Sequence, residues 1–136
     1  MTNQEKKQLA IAACQIRMGI IESTHGAKAG HPGGSLSSAE MFAYLYNKEL
    51  RIDPKQPKKA DRDRFVLSKG HCTPALYPTL AMRGYFPVED LELFRSVDGH
   101  MSGHAEMNHV PGVDMSTGSL GQGISTAVGM ALAGKI

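Results

Sequence analysis

The sequence has little cysteine, no long run of apolar residues and no large excess of charge of either sign. Its two cysteines, Cys14 and Cys72, are too few for a disulfide framework or a thiolate metal site, so reduced and buried thiols are expected. The net charge of +2 argues against a dedicated nucleic-acid surface. Basic residues cluster between 55 and 69, but aspartates lie among them, as is typical of a solvated connection.

The sequence also shows no features of a targeting signal or of a membrane-spanning segment. Residues 1–7 contain no apolar core of a secretory signal, so we expect a cytoplasmic protein. A membrane span needs about 20 mainly apolar residues. The longest uncharged stretch, residues 115–134, is interrupted by serine, threonine, glutamine and glycine. We therefore expect no membrane partner and at most one domain in 136 residues.

That uncharged stretch is the most distinctive part of the chain. One face of a helix drawn through it would carry large apolar side chains, and the neighbouring face would carry small ones: Leu120, Ile124, Val128 and Leu132 against Gly121, Ser125, Gly129 and Ala133. Glycine inside a helix costs roughly 1 kcal/mol relative to alanine, so a close backbone or ligand is expected. We predict a buried helix whose leading loop touches a ligand; a poorly specified core helix is the alternative.

Periodicity and turn residues predict the other elements. In chain order these are a helix from the capping box Thr2–Glu5 to about Gly26, a loop holding His31, a helix from a second capping box at Ser37–Glu40 to about Leu50, a buried strand at Phe65–Leu67, a helix with Thr73 as N-cap that Gly84 closes, a short helix from Pro87 through Phe94, and an irregular segment Ser96–Met115. Helices around a buried strand indicate an α/β fold with a parallel sheet. A single strand is too few for a complete sheet, so the chain reads as the front part of a larger domain.

Several of the six histidines lie where a ligand could reach them. His71 follows the predicted strand and precedes a helix, which is where ligands gather in open α/β sheets. His31, His71 and His104 each lie beside glycine, and neutral imidazoles suit hydroxyl or phosphate recognition and proton transfer. A purely structural role for each remains open. His25, at the exit of the first helix, reads as a capping or surface imidazole.

A zinc site is the other chemistry that the histidines suggest. Its candidate ligands are His100, His104, Glu106 and His109. Gly99, Gly103 and Pro111 oppose the helix that would bring these side chains to one face, and the run matches no zinc signature with known mechanics. We expect no metal ligands in this chain.

Several segments, in order, resemble the start of transketolases, and especially the N-terminal subunits of split transketolases. They are Lys28-Ala29-Gly30-His31-Pro32-Gly33-Gly34, the run from Asp61 to His71, Gly103-His104, and the run from Pro111 to Gly123. The resemblance covers almost the whole chain. It implies that residues 1–136 are the N-terminal portion of a diphosphate-binding domain, with an α/β parallel sheet between helices and thiamine diphosphate bound between the subunits of a dimer.

The resemblance also implies roles for individual residues. His31 would contact the sugar and assist proton movement, His71 would contact the cofactor diphosphate and the substrate, and His104 would contact the donor's hydroxyl. Gly118, Ser119 and Leu120 would lie against the thiamine rings through backbone groups. The implied reaction transfers a two-carbon ketol unit from a ketose phosphate to an aldose phosphate.

Three parts of the family pattern have no counterpart in residues 1–136. The Gly-Asp-Gly segment and the asparagine that hold Mg²⁺ in the family are absent, Asp98-Gly99 is not that motif, and the glutamate that activates the cofactor is also absent. Because the metal is the largest local charge at such a site, the diphosphate should be poorly held. We expect weak cofactor binding and no ketol transfer by the chain alone.

Three alternatives remain open on the sequence. The chain could be a non-catalytic remnant that acts as an oligomerising or interaction module, because a partial fold leaves apolar surface to cover. It could belong to another thiamine diphosphate enzyme, such as a dihydroxyacetone synthase or a deoxyxylulose phosphate synthase. The third alternative, which the sequence favours least, is a hydrolase that uses the candidate zinc site. The expected partners are further transketolase polypeptide, either a C-terminal subunit or a second copy, and sugar phosphates.

Overall fold

The structure, a computed structural model, describes residues 1–135; Ile136, the last residue of the expected domain, lies outside the described part. Its elements are α1 (Asn3–Ala27), α2 (Pro32–Leu36), α3 (Ala39–Tyr44) with a π-helical turn at Leu45–Glu49, a 3₁₀ turn at Gly70–Cys72, α4 (Thr73–Met82), a 3₁₀ helix at Val88–Leu93 and α5 (Gln122–Ala133). None of the helices in this described part is long and apolar enough to cross a membrane.

Helix α1 begins and ends as its sequence predicts. The hydroxyl of Thr2 accepts a hydrogen bond from the Glu5 backbone N–H at 3.2 Å, and the Glu5 carboxylate accepts one from the Thr2 N–H at 2.7 Å. This is a complete capping box. Lys28 stops the helix in a left-handed conformation with φ of 49°. The buried side chains of Ile16 and Ile20 then fix which face of α1 turns towards the core.

Helix α4 is the centre of the molecule. Every residue from 73 to 81 is buried, and the helix packs against α1, α2 and α3. The approach of α1 is close, because a Cβ on Gly19 would lie 2.7 Å from the Cβ of Pro78. Such an approach is possible only with glycine at that position. A helix that is apolar on all faces is stable only when it is surrounded, and here it is surrounded by this chain itself.

The strand predicted at Phe65–Leu67 is not formed among the described residues, which contain no β-strand at all. A strand requires a hydrogen-bonded neighbour, and residues 1–135 place no second strand beside this segment. Side chains of a loop bond it instead: the Phe65 N–H donates to Asp114 at 2.7 Å, and the Leu67 carbonyl accepts from the Thr117 hydroxyl at 2.6 Å. The predicted parallel sheet is therefore not seen in the part of the chain described.

The second capping box is also wrong. Ser37 and Ser38 do not cap α3 through their side chains; their hydroxyls donate to the Gly34 carbonyl at 2.9 and 3.1 Å. Glu40 instead pairs with Arg17 of α1. The reason lies upstream, because the Pro32–Leu36 segment forms the short helix α2 where a loop is expected, and its end needs those hydroxyls. The predicted end of this region at Leu50 is confirmed.

Helix α5 forms where predicted but is not buried. Gly123 is its one buried residue among those described, and its apolar side chains are 64% exposed at Ile124 and 58% at Leu132. Two smaller expectations also change. Cys14 is exposed rather than buried. The N-cap of α4 is Cys72 rather than Thr73, because the Gly70–Cys72 turn runs directly into the helix.

Candidate functional site

His31 and His71 lie in contact, although they are far apart in sequence. Their ring centroids are 4.8 Å apart with an angle of 64° between the planes, which is an edge-on arrangement. His31 is the N-cap residue of α2, and its carbonyl accepts hydrogen bonds from the backbone N–H and the hydroxyl of Ser35. His71 is in the 3₁₀ turn that leads into α4. Two helix starts therefore hold the pair.

His104 is held beside them by buried hydroxyls of α4. Thr73 donates to the Gly103 carbonyl at 2.9 Å, and the Tyr77 hydroxyl lies 3.1 Å from the Ser102 carbonyl and 3.0 Å from that of His104. Both α4 side chains are buried, and burial raises the pKa of Tyr77 to about 12. These hydroxyls therefore stay protonated donors, and they fix an otherwise irregular loop.

The loop that precedes α5 comes to the same place through backbone contacts. The Ala105 N–H donates to the Gly70 carbonyl, and the Thr117 N–H donates to the Ala105 carbonyl at 3.1 Å. Gly70 allows this approach, since a Cβ there would lie 2.3 Å from the Thr117 carbonyl oxygen. Gly118 then follows directly, beside His104.

Gly118, Ser119 and Leu120 are exposed to solvent next to this cluster. A Cβ on Gly118 would meet one atom within 4 Å among the described residues, the His104 Cδ2 at 3.8 Å. Packing within the chain therefore does not require glycine at this position. An open glycine backed by a fixed loop leaves room for a flat ligand against the main chain. Leu120 is 71% exposed, so its side chain is equally free.

The surroundings of His71 favour its neutral form. Partial burial lowers its pKa, and the nearby imidazoles of His31 and His104 and the ammonium of Lys69 lower it further. Each of these makes it harder to add a proton to the ring. A neutral imidazole can accept a hydrogen bond at one nitrogen and donate at the other, as hydroxyl recognition requires.

The zinc alternative gains no support from this arrangement. Residues 1–135 contain no group of three or more histidine, cysteine, aspartate or glutamate side chains that could hold a metal ion. Glu106 accepts hydrogen bonds from the Ser116 hydroxyl at 2.8 Å and the Asn108 N–H at 3.2 Å. Its carboxylate therefore shapes the loop in which it lies.

Sequence reasoning misses the residues that hold the His104 loop in place. Their local pattern predicts Thr73 and Tyr77 only as part of a helix. A polar side chain within a run as apolar as α4 is the available signal, because a buried hydroxyl requires a partner. Nothing in the local pattern indicates that the partners are the carbonyls of residues 102–104.

Comparison with known proteins identifies the family of this site. The family described as "Transketolase, thiamine diphosphate binding domain" matches residues 7–136. The chain is 47% identical over 131 residues to the 6-deoxy-6-sulfo-D-fructose transketolase subunit SqwG of Clostridium sp. (strain MSTE9), covering 96% of the chain and 48% of that protein. It is 42% identical to transketolase 1 of Escherichia coli (strain K12), covering 96% of the chain and 19% of that protein.

Solved structures give the same result for the fold. The transketolase from Leishmania mexicana superposes with a TM-score of 0.87 at 40% identity, covering 98% of this chain and 19% of that one. The chain thus spans about half the length of the subunit relative and about a fifth of the longer ones. By its sequence match and its fold, the chain belongs to the transketolase family, as part of the thiamine diphosphate binding domain.

Proposed function

We propose that this chain contributes the first part of the diphosphate-binding domain to an enzyme that transfers a two-carbon ketol unit between sugar phosphates. The main supporting observation is the cluster of His31, His71 and His104 beside the open main chain at Gly118. One neighbouring structure, a transketolase from Pichia stipitis, is titled as a complex with sedoheptulose-7-phosphate. A sugar phosphate is accordingly the proposed substrate here.

The residues present suit the thiamine rings and the diphosphate of the cofactor, but not its metal ion. Gly118, Ser119 and Leu120 offer exposed main chain against which the flat rings of thiamine diphosphate would lie, and His71, whose ring contacts that of His31, would contact the diphosphate. When bound, the cofactor supplies the carbon nucleophile and the electron sink of the reaction. The described residues offer no cluster of Mg²⁺ ligands. We assign the Mg²⁺ ligands to other transketolase polypeptide, outside residues 1–135.

The chain's own residues would orient hydroxyl groups and move protons. His31 and His71, whose rings are in contact, would accept protons from substrate hydroxyls and return them. His104, fixed through the carbonyls that Thr73 and Tyr77 bond, would orient the hydroxyl next to the reacting carbon. The lowered pKa of His71 supports this role because it keeps the ring neutral at neutral pH.

The proposed partners are other transketolase polypeptides. One is a C-terminal subunit that supplies the rest of the enzyme, and the other is a second copy with which the enzyme forms a dimer. Two relatives support a divided enzyme, because SqwG and an apulose-4-phosphate transketolase protein of Phocaeicola vulgatus are both named as subunits. The chain covers 48% and 42% of these two proteins. The exposed apolar face of α5 also supports a covering polypeptide.

Two measurements test the proposal. Calorimetry with thiamine diphosphate and Mg²⁺, and a coupled assay with xylulose and ribose phosphates, should find weak binding and no turnover by the chain alone. A chimera in which this chain replaces the matching residues of E. coli transketolase 1 should transfer ketol units. His31→Ala and His71→Ala in that chimera should each lower kcat by roughly 100-fold or more, as expected for proton-transfer residues.

The matched control is His25→Ala, which removes an exposed imidazole at the end of α1. It should leave turnover unchanged. Turnover by the chain alone would contradict the assignment of essential groups to other polypeptide. Full activity of the His31→Ala or His71→Ala chimera would contradict the roles given to those rings.

A second candidate is a non-catalytic interaction module. One observation favours it, the exposed apolar face of α5, which would suit self-association without any chemistry. Sedimentation of the chain and of Leu132→Gln separates the two readings. A tight oligomer that Leu132→Gln disrupts, together with an inactive chimera, would favour the module.

A further inference from the structure

Lys69 joins the two segments that carry the contacting histidines. Its ammonium donates to the Gly34 carbonyl at 2.7 Å and lies 3.4 Å from the Ser37 hydroxyl. Gly34 is inside α2, the short helix that His31 begins. Lys69 itself immediately precedes the Gly70–Cys72 turn that holds His71. The Lys69 side chain therefore connects the His31 helix to the His71 turn.

The bond is of a strong kind. The Gly34 carbonyl also accepts from the hydroxyls of Ser37 and Ser38 at 2.9 and 3.1 Å, but Lys69 is the charged donor among the three. A hydrogen bond to an ionised donor is about twice as strong as one between neutral groups. Both serines belong to the same segment as Gly34, within four residues of it. Lys69 is the donor that reaches this carbonyl from the other segment.

We propose that Lys69 is a positioning residue, which ties α2 to the His71 turn and so keeps the His31 and His71 rings in contact. Helix α2 has only five residues, and a helix so short needs tertiary contacts to persist. This inference deepens the proposed function and rests on it for its catalytic meaning. The positioning itself concerns only residues of this chain.

Lys69 also adds to the electrostatics of the pair. The groups that face His71 are His31 at the start of α2, His104 in the loop, and Lys69 on its own segment. Partial burial and these three groups lower the pKa of His71. A fixed positive charge next to the ring opposes protonation even when the other two histidines are neutral. Removal of that charge should therefore raise the pKa of His71.

The test uses NMR of the imidazole protons in the full chain. Lys69→Met keeps most of the apolar stem and removes both donor and charge, so the His31–His71 ring NOE should be lost and the pKa of His71 should rise. Lys69→Arg keeps both charge and donor and should restore both signals. Lys7→Met, which removes one positive charge from an exposed position of α1, should change neither.

Lys69→Gln separates geometry from charge. Its amide can still donate to the Gly34 carbonyl, so the NOE should persist while the pKa of His71 rises; this variant also serves if Lys69→Met fails to fold. A folded Lys69→Met variant that keeps the His31–His71 NOE would overturn the proposal, as would loss of the NOE in Lys69→Arg; unchanged titration of His71 in Lys69→Gln would overturn the electrostatic contribution of Lys69. These readouts use no cofactor, so they stand apart from failure of the ketol transfer test.

Discussion

Helices α4 and α5 are both strongly apolar, but α4 is buried and α5 is largely exposed. Residues 73–81 of α4 are all buried, and Leu80 has no exposed surface. In α5, Ile124, Val128 and Leu132 keep more than half of their surface exposed. Apolar composition alone thus predicts that a helix needs covering, while the identity of the cover depends on which other elements reach it.

A different kind of contact holds α5 in place. The Gly121 N–H donates to the Ser68 carbonyl at 3.1 Å, and a Cβ on Gly123 would lie 2.7 Å from the Ser68 Cα. The N-terminal end of α5 is therefore fixed by close backbone contact, and its apolar face contributes little. The site lies at this same end, next to Gly118, so the loop that positions α5 also positions the candidate cofactor contacts.

The largest expected difference between the two helices is in the free energy of unfolding. Leu80→Ala should lower it by about 2–5 kcal/mol, because it leaves a cavity at a fully buried position of α4. Leu132→Ala makes the same change on the exposed face of α5 and should lower it by less than about 0.5 kcal/mol. Urea unfolding of the full chain measures both. Equal effects would mean that the face of α5 is covered in solution.

Two glycines of α5 make the next comparison within one helix. Gly123→Ala should destabilise the chain by about 1–3 kcal/mol, because its Cβ would strike the backbone of Ser68. Gly129→Ala should stabilise it by about 0.5–1 kcal/mol through helix propensity, since a Cβ there meets no described atom within 4 Å. The same unfolding experiment measures both. A neutral Gly123→Ala would show that this end of α5 is not held against Ser68.

The smallest expected effect is the pH dependence at the start of α4. His71 has a lowered pKa in the folded chain, so the unfolded chain binds more protons as the pH falls. The contribution to stability is present at neutral pH and is lost as the pH falls below about 6.5 and through the lower folded pKa. Urea unfolding across this range should show a weaker acid dependence in His71→Gln than in wild type. His25→Gln should retain the wild-type dependence. If both variants lose the same amount of acid dependence, that dependence does not arise from His71.

Local chemistry is enough to predict much of the fold. The capping box at Thr2 and Glu5, the stop at Gly84 and the helix through Val128 depend on neighbours in sequence, and all three are present. The box at Ser37 fails although its pattern is equally good. Its hydroxyls have a nearer acceptor, the Gly34 carbonyl, which becomes available only because α2 forms.

The sequence by itself determined the positions of α1, α4 and α5, the family, and the three histidines beside glycine, because these depend on residue type and short spacing. The tertiary structure decided that His31 meets His71, that Thr73 and Tyr77 hold the His104 loop, and that α4 is covered while α5 is not. Those outcomes depend on contacts between segments far apart in the chain. A hydrogen-bond donor or an apolar face specifies that it needs a partner, but only folding brings a particular partner within reach.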